Sequence, residues 1–368
     1  MKKKILVVIT TGFTPWGGIT TSYMNYFRPM NKNGLIIDVA SMNEAQAQLV
    51  GEIEDAGGKY IKLPDKRKDT IRYILQYSKL CKNYDVVHVH GNSPTMYIEL
   101  HIAKVNRVPV RIAHSHNSCG MHPFLNSILK NGFNRSYTKA IACSKEAGRW
   151  LYTREFIVLN NVIDTSRFSF SRLLREKARE ELRVGNDEIL IGTVGKLVQQ
   201  KNHIFLLDVF RLIHARYPNT KLVIVGDGIL RGEIEKKISQ IHLKDDVILA
   251  GMRTDTELFY SAMDFFFLPS LFEGAPIALM EAQAAGLSCL CSDNVTKECD
   301  VSGNVEYVAL ELNFWLEAFE KIYCNQLTTR EEKSREAKEC LKKSGYDNVE
   351  NSAVLRNIYA SNYFNVNI

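Results

Sequence analysis

Short apolar runs and segments of helical period alternate along almost the whole chain. In the first half the apolar runs fall at residues 5–9, 36–39, 59–61, 86–89, 110–113, 140–142 and 157–159. Between them, residues 20–30, 70–81 and 95–105 carry apolar positions every three or four residues. Apolar runs without polar alternation suit strands covered on both faces, and crossover helices between such strands make them parallel. The pattern predicts an α/β chain with a doubly wound parallel sheet.

The alternation pauses after residue 159. Residues 160–170 lack periodicity, and 173–182 is a charged segment of helical period. A second series then begins at 189–194 and continues through 222–225, 247–249, 265–268 and 288–291. Two Rossmann-like doubly wound domains facing a central cleft are therefore expected. The first spans 1–162, a linker covers 163–187, and the second spans 188–345. The charged helix within it, at 328–343, is expected to be a solvated face. Residues 346–368 are expected to form a C-terminal helix that packs back on the N-terminal domain. Ligands of such sheets bind beyond the carboxyl ends of the strands.

Length agrees, since 368 residues exceed one typical compact domain. The net charge of +6 is uneven. Residues 1–165 hold 22 Lys/Arg against 12 Asp/Glu, and the remainder 25 against 29. A basic half suits an anionic partner, whether nucleic acid, lipid or phosphorylated substrate, or is simply a solvated surface. No aromatic-and-basic motif supports nucleic acid, which is not expected as a partner. The eight cysteines form no C-x-x-C pair, so neither a disulfide framework nor a zinc-finger spacing emerges, and a reducing cytosol is expected. The apolar stretch after Lys2-Lys3-Lys4 is too short for a secretory leader, and no apolar run spans a bilayer.

The candidate chemistry sits at strand ends. Gly195-Lys196-Leu197, followed by Lys201-Asn202, joins a strand to the helix 203–216. Glycine permits a tight turn, a helix N-terminus favours an anion, and two lysines add point charges for a diphosphate. Val225-Gly226-Asp227-Gly228 is a second glycine turn. Ser270-Leu271-Phe272-Glu273-Gly274-Ala275-Pro276 leads into a helix that carries Glu281. Both glutamates can accept from sugar hydroxyls, or serve merely as a helix-dipole partner and an exposed helix residue. Gly12 to Thr20, with Gly17-Gly18, can cradle a phosphate but lacks the dinucleotide G-x-G-x-x-G pattern. His88 and His90 end one strand, and His114, His116 and Asn117 end another. No carboxylate or cysteine cluster of ligand spacing accompanies these histidines, so a polar active-site wall is expected rather than a metal site.

Together these motifs resemble the retaining glycosyltransferases of family 4, which have the GT-B fold. The resemblance covers nearly the whole chain and is strongest over 189–286. It is carried by Gly195-Lys196-Leu197 with Lys201-Asn202, and by Glu273 and Glu281 at E-x₇-E spacing. Gly17-Gly18, His114-Ser115-His116-Asn117, Cys143-Ser144-Lys145-Glu146 and Asn161-Val162-Ile163-Asp164 match less tightly. The last replaces a common N-G-x-D, and Lys196 stands where many members have arginine, which exchanges a bidentate grip for a point charge.

The resemblance implies a metal-independent enzyme with no cofactor, whose substrate is a nucleotide sugar, most simply a UDP-sugar. It implies that Lys196 and Lys201 hold the departing diphosphate and that Glu281 binds the ribose. Glu273 contacts the transferred sugar. Gly17, Gly18, Gly195, Asn202, Gly226, Gly274, Ala275 and Pro276 shape the donor site. It places His116 at the reaction centre and His114 and Asn117 toward the acceptor, a glycan or lipid-linked oligosaccharide of bacterial surface polysaccharide synthesis. Two other functions remain open: a UDP-sugar epimerase of the same fold, and a non-catalytic sugar-nucleotide or glycan-binding subunit.

Residues 122–135 mix apolar and basic positions at helical spacing, and Lys66-Arg67-Lys68 adds a basic cluster. Either these dock an anionic membrane at the inner face of the cell envelope, or Phe124, Ile128 and Leu129 are core residues of a crossover helix.

Overall fold

The computed structural model describes residues 2–117, 123–324 and 329–361. They divide into two compact units, one of Met1–Val162 with Asn348–Ile368 and one of Ile163–Asp347.

Unit 1 is built on strands β1 (Lys3–Ile9), β2 (Leu35–Ser41), β3 (Tyr60–Lys62), β4 (Val86–Gly91), β5 (Val110–Ser115), β6 (Lys139–Ala142) and β7 (Ile157–Val158). Helices α1 (Gly18–Phe27), α2 (Ala47–Asp55), α3 (Thr70–Cys81), α4 (Tyr97–Val105), α5 (Pro123–Asn134) and α6 (Lys145–Leu151) connect them. The strand order is β3-β2-β1-β4-β5-β6-β7, and its pairings are parallel.

Unit 2 opens with α7 (Arg172–Leu182). It continues through β8 (Ile189–Val194), α8 (His203–Arg216), β9 (Thr220–Val225), α9 (Arg231–Gln240), β10 (Val247–Gly251) and α10 (Thr256–Ala262). The remaining elements are β11 (Phe265–Leu268), α11 (Ile277–Ala284), β12 (Ser288–Ser292), β13 (Val305–Val308), α12 (Leu312–Cys324) and α13 (Arg330–Lys343). The strand order, β10-β9-β8-β11-β12-β13, is again parallel. The chain then returns to unit 1 with α14 (Asn348–Ala360).

The apolar runs are continuous because both sheet faces are covered. In β11, Phe266 and Leu268 face one core of unit 2, whereas Phe265 and Phe267 face the other. Each fully buried side chain of this size contributes about 1.5–3 kcal/mol. In unit 1, Leu355, Ile358 and Tyr359 of α14 join the core formed by Tyr23, Tyr26 and Ile5. Lys139 Nζ donates to Ile358 O at 3.2 Å and Lys3 Nζ to Ala360 O at 3.2 Å, so two lysines satisfy carbonyls at the end of α14.

The structure corrects the expectation that residues 163–187 are a linker. Arg175 of α7 donates to Ala262 O at 2.8 Å and to Asp264 Oδ1 at 2.7 Å, and the buried Arg179 donates to Ala262 O at 2.9 Å. Charged side chains, together with Leu174, Ala178 and Leu182 packed on the core, hold this helix on unit 2. Nor is α13 wholly solvated. Ser334, Ala337 and Leu341 are buried, and a Cβ at Gly286 would stand 2.6 Å from Ser334 N.

Candidate functional site

In both sheets the direction of winding reverses between two neighbouring strands: β1 and β4 in unit 1, β8 and β11 in unit 2. The loops that leave such a pair diverge to opposite faces and open a crevice at the carboxyl ends. The predicted site residues of unit 2 cluster there.

The loop after β8 carries Gly195, Lys196, Lys201 and Asn202, and the loop after β11 carries Ser270 to Pro276. Three contacts join them. Lys201 Nζ lies 2.7 Å from Glu273 Oε1, Leu271 N donates to Gln200 O at 2.8 Å, and Gln200 Nε2 donates to Phe272 O at 2.9 Å. The buried Ser270 donates to Glu273 Oε1 at 3.2 Å, and Thr296 N donates to Glu273 O at 3.3 Å. Glu273 is thus fixed through both its carboxylate and its backbone.

Gly226, at the end of β9, has φ +141°, and a Cβ there would lie 1.9 Å from Gly195 O. The two strand ends can approach this closely only because residue 226 has no side chain; a Cβ on Gly195 would instead meet Lys201 Cε at 3.2 Å. Asn202 adopts a left-handed conformation before α8 and gives that helix no side-chain cap. Pro276 cannot cap α11 with its side chain, and neither helix has an acidic residue in its first turn. Their N–H groups and dipoles are available to an anion. Lys196 is exposed beside them, with no ion pair among the described residues.

Glu281 lies inside α11 and is buried. Tyr260 of α10 donates to its Oε2 at 2.8 Å. Burial lifts the carboxyl from 4.5 to about 7, against the opposing effects of the Tyr260 hydrogen bond and of Arg167. Desolvation of the charged form outweighs both. Glu281 is therefore no exposed helix residue, one of the two alternatives its sequence position allowed. Ser270 opens the stretch singled out in the sequence, whereas Tyr260 and Gln200 match no motif residue. The roles of Tyr260 and Gln200 follow from packing alone.

In unit 1, Gly17 precedes α1 with no side-chain cap and no acidic residue in the first turn. A Cβ on Gly17 would press Thr14 and Thr20 at 3.1 Å, whereas one on the exposed Gly18 would meet nothing. Nothing within unit 1 requires glycine at position 18. The histidines are brought together. His88 and His90 of β4 and His114 of β5 lie on one sheet face, and His116 follows β5. Nδ1 of His90 and Nε2 of His116 are 2.8 Å apart, and Nε2 of His88 and Nδ1 of His114 are 3.2 Å apart. Nδ1 of His88 is 2.8 Å from Tyr359 Oη of α14. His88, His90 and His114 are buried and His116 is half-buried; desolvation pushes all four toward the neutral form, His116 to about 4. Asn117 follows them, its carbonyl accepting from Ser115 Oγ at 3.3 Å.

Of the basic and apolar segments, Lys66 turns inward: its Nζ lies 2.7 Å from Oε1 of the buried Glu99, which also accepts from Tyr73. Arg67 and Lys68 are exposed. Ile128 of α5 is 60% exposed, so it is not a core residue. His122 and the side chains of Phe124 and Leu125 lie outside the described residues. Among the described residues, no helix is long and apolar enough to cross a membrane.

Residues 175–310 match the family model described as glycosyl transferases group 1. The chain is 30% identical over 371 residues to EpsF of Bacillus subtilis, named as a glycosyltransferase, with 93% of each chain covered. It is 27% identical over 263 residues to the UDP-Gal:alpha-D-GlcNAc-diphosphoundecaprenol alpha-1,3-galactosyltransferase of Escherichia coli, with 67% of each covered. The crystal structure of Anabaena HepE in complex with UDP and glucose is similar to it with a TM-score of 0.79, at 16% identity, over 98% of this chain and 100% of that one. The two parallel-sheet units have the GT-B fold.

Proposed function

We propose a donor, an acceptor class and a stereochemical course for a chain that belongs to the group 1 glycosyl transferases. The enzyme moves a hexose or N-acetylhexosamine from a nucleotide diphosphate sugar, a UDP-sugar, onto a growing lipid-linked glycan of a bacterial surface polysaccharide. It does so with retention and without a divalent ion in the transfer step. The observation that carries this is the 2.7 Å pair of Lys201 and Glu273, which joins two loops at the switch point of unit 2. The similar E. coli galactosyltransferase, which acts with UDP-Gal on a diphosphoundecaprenol-linked sugar, and the HepE complex with UDP support UDP as the nucleotide and a diphosphoundecaprenol-linked acceptor.

Transfer breaks the bond between the anomeric carbon and the diphosphate, and negative charge grows on the departing oxygen. Lys196 and Lys201, with the free N-terminus of α8, supply positive potential there. Gly195 and Gly226 let the backbone approach the diphosphate. Glu281 accepts from ribose hydroxyls, and Glu273, while paired to Lys201, accepts from hydroxyls of the transferred sugar. Neither acts as acid or nucleophile. Gly17 and Gly18 carry the uncapped N-terminus of α1 toward phosphate, and His116, held by His90, lines the reaction centre with His114 and Asn117 on the acceptor side.

Membrane docking belongs to the same proposal. Helices α3 and α5 both pack on α4, and they expose Ile71, Ile74, Leu75 and Ile128 beside Arg67, Lys68 and Arg72. Apolar side chains among cations suit an anionic bilayer that carries the acceptor.

Lys201→Ala is expected to fold normally and to lose about 100–1,000-fold in transfer rate. A screen of nucleotide sugars for protection against thermal unfolding identifies the donor. Near-wild-type turnover by the variant, or turnover of a UDP-sugar with no acceptor present, would remove the proposal.

A further inference from the structure

Among the described residues, a cluster of metal-ligating side chains outside the donor loops lies in unit 1. One nitrogen each from His88, His90 and His114 lies within 4.8 Å of the other two, and all three residues are buried. The arrangement follows from the strands. His88 and His90 are two residues apart on β4 and share a face, and His90 is the register partner of His114 on the parallel β5. Strand spacing of about 4.8 Å then sets the separation of the rings.

We propose that His88, His90 and His114 form a binding site for one borderline transition-metal ion of the zinc class. Zn–N bonds of about 2.0–2.1 Å place tetrahedral ligand nitrogens about 3.3 Å apart. His88 Nε2 and His114 Nδ1 already stand at 3.2 Å. The widest separation exceeds that edge by no more than about 1.5 Å. Imidazole rotation can close such a gap without moving a strand.

The surroundings favour ligation. A metal-bound imidazole commonly has its other nitrogen held by a hydrogen-bond partner. Nδ1 of His88 is held by Tyr359 Oη at 2.8 Å, and Nδ1 of His90 by His116 Nε2 at 2.8 Å, so both β4 rings turn Nε2 toward the cluster. Nε2 of His90, on the ring edge that faces the cluster, is buried with no hydrogen-bond partner among the described residues. An unpaired buried polar atom is costly, and a cation bound by the three rings would satisfy it. The ligand set is all imidazole, with no carboxylate in the cluster. This selects zinc, cobalt, nickel or copper over magnesium or calcium. Three protein ligands leave a coordination position open. The site lies on the sheet of unit 1 and involves no residue assigned to the diphosphate, so it is compatible with transfer that needs no divalent ion.

The test uses the untagged full chain, stripped with a chelator and titrated with Co²⁺, with no sugar nucleotide present. One equivalent is expected to give the intense visible absorption of low-coordinate cobalt. Added Zn²⁺ is expected to displace it and to raise Tm, and Mg²⁺ to do neither. His90→Phe and His114→Phe are expected to lose this uptake, with far-UV circular dichroism confirming that they fold. Zinc-edge X-ray absorption on the wild-type protein serves if they do not fold: a shell of imidazole nitrogens supports the site, and a sulfur-containing or oxygen-dominated shell overturns it. Absence of stoichiometric uptake by the wild type, or unchanged uptake in folded variants, also overturns it. Because no donor is involved, failure here leaves the transferase proposal standing, and the reverse.

Discussion

Glu281→Gln separates what the buried carboxylate costs the fold from what it gives the site. The carboxyl is buried and titrates at about 7 rather than 4.5. At about 1.4 kcal/mol per pKa unit, the ionised form costs unit 2 about 3 kcal/mol, an upper bound because ionisation draws in water. The sign follows from linkage. Below pH 4.5 the group is protonated in both the folded and unfolded chain, and no penalty exists. As pH rises toward 7, only the unfolded chain ionises freely, so wild-type stability falls, and above 7 the penalty is complete. Glutamine has nearly the same shape, keeps an acceptor for Tyr260 and carries no charge. The variant is expected to match the wild type in urea unfolding at pH 5 to within about 1 kcal/mol and to exceed it by about 1–3 kcal/mol at pH 8. Donor binding should change in the opposite sense. Ribose hydroxyls donate to the ionised carboxylate, so wild-type affinity is expected to rise between pH 6 and pH 8 by roughly tenfold, while the variant binds weakly throughout. Parallel stability profiles for the two proteins from pH 5 to pH 8 would refute the account, since the carboxyl would then not be titrating in the buried environment.

The two glycine sites predict contrasting outcomes. Gly226→Ala, whose Cβ would lie 1.9 Å from Gly195 O, is expected to lose about 3 kcal/mol or more and to disrupt the donor loop, visible as a lowered Tm. Gly18→Ala meets no protein atom and is expected to leave Tm unchanged or raised, while KM for the donor increases; an unchanged KM would remove Gly18 from the donor site. Transfer is expected to continue in excess EDTA, and a complete loss restored by Mg²⁺ or Mn²⁺ would refute metal-independent transfer. The full chain is expected to co-sediment with anionic liposomes at low salt and to be released by salt, with Ile71→Ser/Leu75→Ser binding less; equal binding by that double variant would exclude α3 from the contact.

Local pattern was enough for the alternation of strands and helices, because continuous apolar runs occur where a parallel sheet is covered on both faces. It also placed Lys196, Lys201 and Glu273 in loops at strand ends and Glu281 in the helix that follows, and the family resemblance, rather than spacing alone, tied them to one chemistry. The edge strand β13 and the aromatic helix α12 escaped notice, since Val305-Glu306-Tyr307-Val308 is short and half polar, and Trp315 and Phe319 are buried only once the sheet exists. Charge misled in two places. Arg175 and Arg179 anchor α7 to unit 2 through carbonyls and Asp264, and Lys66 pairs with a buried glutamate. A charged side chain declares its partner only when the backbone around it is folded.

The sequence by itself determined which residues sit at the carboxyl ends of the strands, because element order and loop position are local properties. Tertiary structure alone decided which of those ends are neighbours. Parallel pairing joins strands far apart in the chain, and register sets which side chains face each other. That long-range choice puts Lys201 against Glu273, buries Glu281 beneath Tyr260, and brings His90 and His114 side by side.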